Sequence, residues 1–448
     1  MLGSLAAFVT RAPAADARGR SPVGGSVSVR VPWSLTTVDP HRIDDAASAY
    51  FGCALFDTLY AVGEGGILVP RLAESEPEVE RGTVRVRLRA GLRSATGKVV
   101  EASDVLYSLT RARARSGKAW LANVPSPKVE DKTTLRFATK DDAEILRCLA
   151  SPLTAIVPSS FSPTAPDGTG PFAATLRGDA LVLRRNPLAA GGPAFLDEIV
   201  VRSAPDVAGS LRAFESGTDD LGWLGSGLHD PRAGSRPWDT GSVGWAILAT
   251  GREAGDLDVV GSAQRLADAV PHAKLAYLMI GPSWPAGKPN AWTGPSCDLL
   301  VRDDSPWLVE LARATAATLG QPGHEVTARP VSTTEFAQRR TTRGFTLALD
   351  VVRPFGPGPS GTLVALATAD DPRVALDTAK KVPRPGDASP RTLARSLRVG
   401  VLGELRASGG RVADVVVPGA SGSPTPNGGG ASGAGGVDWG SVLRIRKG

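Results

Sequence analysis

The stretch TVRVRLRAGLRSATGKVVEASDVLYSLTRA, from Thr83 to Ala112, is the one on which the fold turns. Val84, Val86 and Leu88 alternate with Arg85, Arg87 and Arg89, the period-two pattern of a strand with one buried face. Gly91 marks a turn, and a polar loop runs on to Gly97. Val105, Leu106 and Leu109 then share one side of a helix. Asp104 stands in its first turn, where the helix dipole favours an acid. Physical chemistry alone gives a strand–loop–helix unit here.

Further blocks extend the pattern. Gly168-Thr169-Gly170-Pro171-Phe172 is a tight loop, followed by the strand LVLRRNP from Leu181 to Pro187. Upstream, VSVRVPWSLTTVDPHR (Val27 to Arg42) reads as a strand and a loop, with LFDTLY (Leu55 to Tyr60) and PRLAESEPEV (Pro70 to Val79) beyond it. In order and wording these blocks resemble the extracytoplasmic solute-binding proteins of the peptide/nickel class, family 5, which serve ABC importers. LRAGLR (Leu88 to Arg93), GKVVEASDVLYSL (Gly97 to Leu109) and Arg111 stand where that family has its "LR-Gv-f" strand and "dG-pltAeDV-yS" helix. GTGPF and LVLRRNP resemble its "GTGPY" and "L-RNp-Y" pair. The resemblance covers Val27 to Trp223.

That resemblance implies an α/β, two-lobed periplasmic binding protein type II-like fold with an extra small subdomain. Lobe I is expected to comprise residues 26–45, 165–250 and 395–446, and the small subdomain residues 46–164. Lobe II, residues 251–394, is expected to be shortened. The segment YLMIGPSWPAGKPNAWTGPSCDLLV (Tyr277 to Val301) passes almost directly between two strands where the family inserts a long helical segment. The implied function is capture of a short peptide or other small polar or anionic solute between two closing lobes and delivery to an ABC permease. The alternative is a transport-incompetent relative acting as a sensor or envelope scaffold.

The second half reads as β-α-β. CDLLV (Cys297 to Val301) is a strand. Ser305 caps a helix that begins at Pro306, carries Trp307, Leu308, Leu311, Thr315 and Leu319 at helical spacing, and stops at Gly320. HEVTARPVS (His324 to Ser332), a short helix from Glu335 to Arg340 and FTLALDVV (Phe345 to Val352) follow, with a right-handed crossover expected. LRVGVLGELRASGGRVADVVV (Leu397 to Val417) reads as two strands joined by a Gly-rich turn. Residues 418–436 are a flexible Gly/Ser/Pro insertion before VDWGSVLRI resumes a strand.

Candidate ligand-binding residues come from the loops that border the solute in the family. They are Trp33, Leu35 and Thr36 after the first strand, Trp223 toward the hinge, and Asp350, Arg353 and Phe355 at the end of the last second-lobe strand. Trp245, Trp284 and Trp292 are further cleft candidates, although an indole is more often core. Peptide-binding members often carry an acid-rich loop beyond that strand, whereas this chain has Arg353. A ligand amine would lack a partner there. Arg353 either faces a carboxylate or phosphate, which its planar fork suits, or is a surface loop residue. Asp350 either faces the cleft or is a hydrogen-bonded structural acid.

Composition agrees with a soluble globular chain. Its 448 residues carry 42% hydrophobic and 21% charged side chains, enough for two or three domains. The net charge of +6 is spread thin, with no nucleic-acid-binding pattern. No apolar run is long enough to span a membrane. Residues 1–25 read as a truncated or misassigned export signal or a disordered segment, so an extracytoplasmic or periplasmic location is expected, peripheral to the membrane at most. Cys53, Cys148 and Cys297 are widely spaced and read as buried small apolar residues. No metal, cofactor or catalytic residue is expected. The four histidines are scattered and no hydrolase or P-loop motif is present. Ser226, His229 and Asp230 lie too close in sequence to form a working triad. A monomer is expected.

Overall fold

The computed structural model describes residues 23–63, 67–223, 232–271, 275, 278, 280–281, 292–356, 358–377, 389–417 and 437–445. Its principal elements, in chain order, are β1 (Ser26–Val31), α1 (Ala46–Leu55), β2 (Thr83–Arg87), α2 (Ala102–Ala114), β3 (Phe172–Arg177), β4 (Ala180–Arg185), β5 (Glu198–Ser203), β6 (Leu221–Trp223), β7 (Arg236–Thr250), β8 (Cys297–Arg302), α3 (Pro306–Leu319), β9 (Val326–Val331), α4 (Thr333–Thr342), β10 (Leu347–Val352) and β11 (Val399–Arg411).

The strand–loop–helix unit forms as its pattern dictates. Val84, Val86 and Leu88 are buried and Arg87 is exposed. β2 lies in a four-stranded antiparallel sheet with Glu78–Glu80, Thr134–Phe137 and Lys128–Val129. Its apolar face meets Val105 and Leu109 of α2 in a core that also holds Trp120, Leu135 and Phe137. The acid in the first turn has two tasks. Asp104 accepts hydrogen bonds from the backbone N–H of Glu101 (3.0 Å) and of Ser159 (2.9 Å), so it both caps α2 and ties down the following segment.

The remaining strands form one sheet in the order β9-β8-β10-β7-β11-β6-β1-β5-β4-β3, with Ile280–Gly281 paired to β11. β1 is parallel to β5 and β6, and β8 is parallel to β9 and β10. The two halves meet at β7 and β11, which are long antiparallel partners of 15 and 13 residues. Their pairing shifts register between Asp239 and Ser242, between Ser242 and Gly244, and between Ala246 and Ile247. α3 keeps the expected design. Ser305 accepts from the Leu308 N–H, Pro306 takes the first position, and Trp307, Leu308, Leu311, Thr315 and Leu319 are buried.

One expected turn does not form. Gly409 and Gly410 continue β11, pairing with Trp223 and Gly222 on one side and with Trp238 and Pro237 on the other. Trp238 donates its indole N–H to the Gly410 carbonyl at 3.1 Å, so the glycines admit a large neighbour where a hairpin was read. The C-terminal strand is also shorter than read, being a helical turn at Trp439–Ser441 and a two-residue strand, Leu443–Arg444.

The motif blocks prove to be one joint. Asp57 of LFDTLY receives Arg71 Nε of PRLAES at 2.8 Å and Thr169 Oγ1 of GTGPF at 2.8 Å. Asn186 of LVLRRNP donates to the Gly170 carbonyl at 2.8 Å. A Cβ on Gly168 would lie 2.2 Å from the Leu55 carbonyl oxygen, and one on Gly170 would lie 2.6 Å from the Leu55 carbonyl carbon. Glycine is needed at both because backbone meets backbone. Cys53, Cys148 and Cys297 are free thiols. Cys148 is buried as expected, whereas Cys53 is exposed and Cys297 half-buried, so the apolar-core reading holds for one of the three.

Candidate functional site

The carboxyl ends of β1, β8 and β10 converge. β1 runs out into the 32–45 loop, and that loop packs on residues just beyond the other two strands. The Ser34 N–H donates to the Asp304 carbonyl and the Trp307 N–H to the Pro32 carbonyl, both at 3.1 Å. Arg302, the last residue of β8, donates Nη1 to Asp44 Oδ2 at 3.0 Å and Nη2 to the Asp44 carbonyl at 3.3 Å. Arg42 grips the same carboxylate through Nε at 3.1 Å and Nη2 at 2.6 Å. Arg353, just past β10, donates to the carbonyls of Pro40 and Arg42.

Charge in this seam is balanced, at a desolvation cost. The Arg302 side chain is only 8% exposed. Burial pushes the Asp44 carboxyl up, but Arg302 and Arg42 outweigh it and hold the group below the usual carboxylate range. Asp350 has Arg302 and Arg340 each 3.9 Å away. Burial dominates there and raises its pKa, with Arg302 opposing. A cavity of about 10 Å³ remains beside Trp33, Tyr50, Arg302, Ser305, Trp307 and Leu405, room for one water at most.

The loop is also fastened from behind. Arg111 of α2 makes a bidentate pair with Asp39, at 2.7 and 2.9 Å. Its Nη1 lies 2.8 Å from His41 Nδ1, while His41 Nε2 lies 2.8 Å from the Ala155 carbonyl. The neutral ring with its proton on Nε2 satisfies both contacts, so Arg111 donates and the carbonyl accepts. Burial lowers the His41 pKa to about 4. The Thr83–Ala112 unit thus reaches the seam through Arg111.

The expected ligand residues take different places. Trp33 is buried, stacks on Tyr50 with ring centroids 4.9 Å apart, and lines the cavity. Leu35 is buried in the core and Thr36 is exposed on the loop. Asp350 is at the seam as a buried acid between two arginines. Arg353 fits neither of its two readings: it is buried, and its guanidinium is engaged by backbone carbonyls of the chain itself. Phe355 is fully buried against Trp120, 6.1 Å between ring centroids, in the core that also holds Val84, Val105 and Leu109. The backbone of Trp223 pairs with Gly409, and its side chain lies outside the described residues. Trp284, Ser226, His229, Asp230 and residues 1–22 and 418–436 also lie outside them. Trp245 and Trp292 are buried core residues. Arg42, Asp44, Tyr50, Arg302 and Trp307 also stand at the seam and are not among the residues expected there. The available signal was that ligands in open α/β sheets bind beyond the carboxyl ends of strands, and RIDD and RDD follow two such ends. Among the described residues no group of three or more His, Cys, Asp or Glu is placed to hold a metal ion.

The fold is that of the two-lobed periplasmic binding proteins. The structure is similar to the oligopeptide-binding protein AppA from Bacillus subtilis in complex with a nonapeptide, with a TM-score of 0.68 and 13% identity, covering 95% of this chain and 100% of that one. It is similar to NikA from Brucella suis in complex with Fe(III)-EDTA (0.64, 15%, 94% and 100%) and to the Escherichia coli murein tripeptide binding protein MppA (0.66, 12%, 94% and 99%). Residues 68–227 match the model of the bacterial extracellular solute-binding proteins, family 5 Middle. The family match covers that segment of the chain, and the likeness to the solved structures shows a shared fold. The sensor or scaffold alternative is not favoured. No curated protein matches the chain by sequence. The family is one of extracytoplasmic binding proteins, and among the described residues no helix is long and apolar enough to cross a membrane.

Proposed function

We propose that this chain captures a short peptide or another small polar or anionic solute between its two lobes and delivers it to an ABC-type permease. The observation that carries the reading is the convergence of three strand ends on one seam with buried, paired charges from both halves of the sheet. The chemistry is recognition without bond making. In this reading the lobes divide as 26–45, 165–250 and 395–446 against 251–394, with 46–164 as the subdomain.

A thermal-shift screen tests it, using di- to nonapeptide mixtures, small carboxylates and nickel–histidine. A solute at a hundred times its Kd stabilises the native state by about 2.7 kcal/mol. A rise in Tm with one class, changed in size by Arg302→Gln, is expected. No shift with any class would count against capture. Delivery is tested by reconstituting the chain with a candidate permease in vesicles, where solute-dependent stimulation of ATP hydrolysis is expected.

A further inference from the structure

We infer that the 32–45 loop is the cleft's own occupant, a latch that holds the two lobes together before any solute arrives. This deepens the solute-binding reading and rests on it for its meaning, though its test stands apart. The loop meets the groups a solute would need. Arg302, buried and fork-shaped, is held by the Asp44 carboxylate and carbonyl. α3 begins with Pro306, which has no N–H, so Trp307 supplies the first free donor of that helix end, and the Pro32 carbonyl has it. Ser34 closes on the Asp304 carbonyl, and Arg353 is spent on the carbonyls of Pro40 and Arg42. With a cavity of about 10 Å³ at the seam, a solute enters by displacing the loop.

The loop is built to hold this position. Asp39 and His41 anchor it to Arg111 on one side. Asp45 accepts from Ser48 Oγ and from the Asp39 N–H, both at 2.6 Å, on the other. Asp44 is therefore presented by a rigid segment, and a rigid presenter loses little entropy on pairing. Competition follows from population arithmetic. If the latch leaves one molecule in ten open, apparent affinity is weakened about tenfold, because Kd,app is the intrinsic Kd divided by the open fraction. The latch thus raises the solute concentration needed for half-occupancy by that factor.

Amide hydrogen exchange reads the latch without any ligand. The Trp307 N–H belongs to the first turn of α3 and has no partner within the helix, so its protection reports the Pro32 carbonyl. The probe is the full chain, freed of carried-over solute by unfolding in guanidinium, dialysis and refolding. Slow exchange at Ser34 and Trp307 is expected, becoming at least about tenfold faster in Asp44→Asn and Arg302→Gln while amides of β2 keep their protection. Unprotected Ser34 and Trp307 in the wild-type chain, or equal rates in folded variants, would overturn the latch. Should a variant not fold, the wild-type rates decide alone. A solute screen that fails while these amides are protected rejects the binding function and leaves the latch standing.

Discussion

His41 shows how one buried ring ties stability to pH. A second proton would sit on Nδ1, facing Arg111, which is why burial and that arginine keep the folded pKa near 4, against 6.5 in the unfolded chain. Between those values the unfolded chain binds more protons, so stability falls as pH drops from about 6.5 to about 4, by roughly 3 kcal/mol at most. Asp45 and Asp350, with pKa values raised by burial, work in the opposite sense. The test is therefore a difference: His41→Gln should flatten the fall in Tm between pH 6.5 and 4 relative to wild type. A parallel decline in both proteins would refute the assignment. Arg353 allows a second test. Arg353→Met strands two buried carbonyls, and urea unfolding should show a loss of about 2–4 kcal/mol. A variant as stable as wild type would mean those carbonyls find other partners. That role was not legible in the sequence. An arginine after a strand reads the same whether it faces solute, solvent or backbone, because its partners lie more than 300 residues away.

At the scale of elements the sequence was a better guide. Period-two and helical patterns located β2, α2 and α3 because each has one face against a core, while β10 is legible as an apolar run because all six of its residues are buried. The Gly-Thr-Gly loop was legible as a turn but not as a joint. Its glycines answer to Leu55, more than a hundred positions earlier, and no local pattern encodes that approach. Gly170→Ala should cost about 2–3 kcal/mol through overpacking, measured as a drop in the urea midpoint with unchanged slope. Gly91→Ala is a useful contrast. Gly91 has φ +74° with open space around its missing Cβ, so backbone strain alone should cost about 1 kcal/mol. Equal losses at the two sites would argue against the contact at Leu55. β11 was misread for a related reason. Two adjacent glycines signal a hairpin locally, and only the partner strands reveal a ladder passing through them.

At the scale of the whole molecule, the match over residues 68–227 and the shared fold come from blocks the eye can find in the chain, while the seam comes from loops that only the fold brings together. Solute capture should therefore depend on Asp44 and Arg302, which lie outside those blocks. Replacing Asp44 or Arg302 should change affinity with little effect on the subdomain, whereas Gly170→Ala should change stability with little effect on affinity, as isothermal calorimetry and urea titration on the same proteins would show. The junction through β7 and β11 adds a mechanical constraint. Two hydrogen-bonded strands form a ribbon, which twists and bends but resists sliding and free rotation. Lobes joined this way have in effect one soft coordinate. The contacts of the 32–45 loop then cannot peel away one at a time along different directions. They release together, so each molecule should be either shut or open, and not a jaw that opens by degrees.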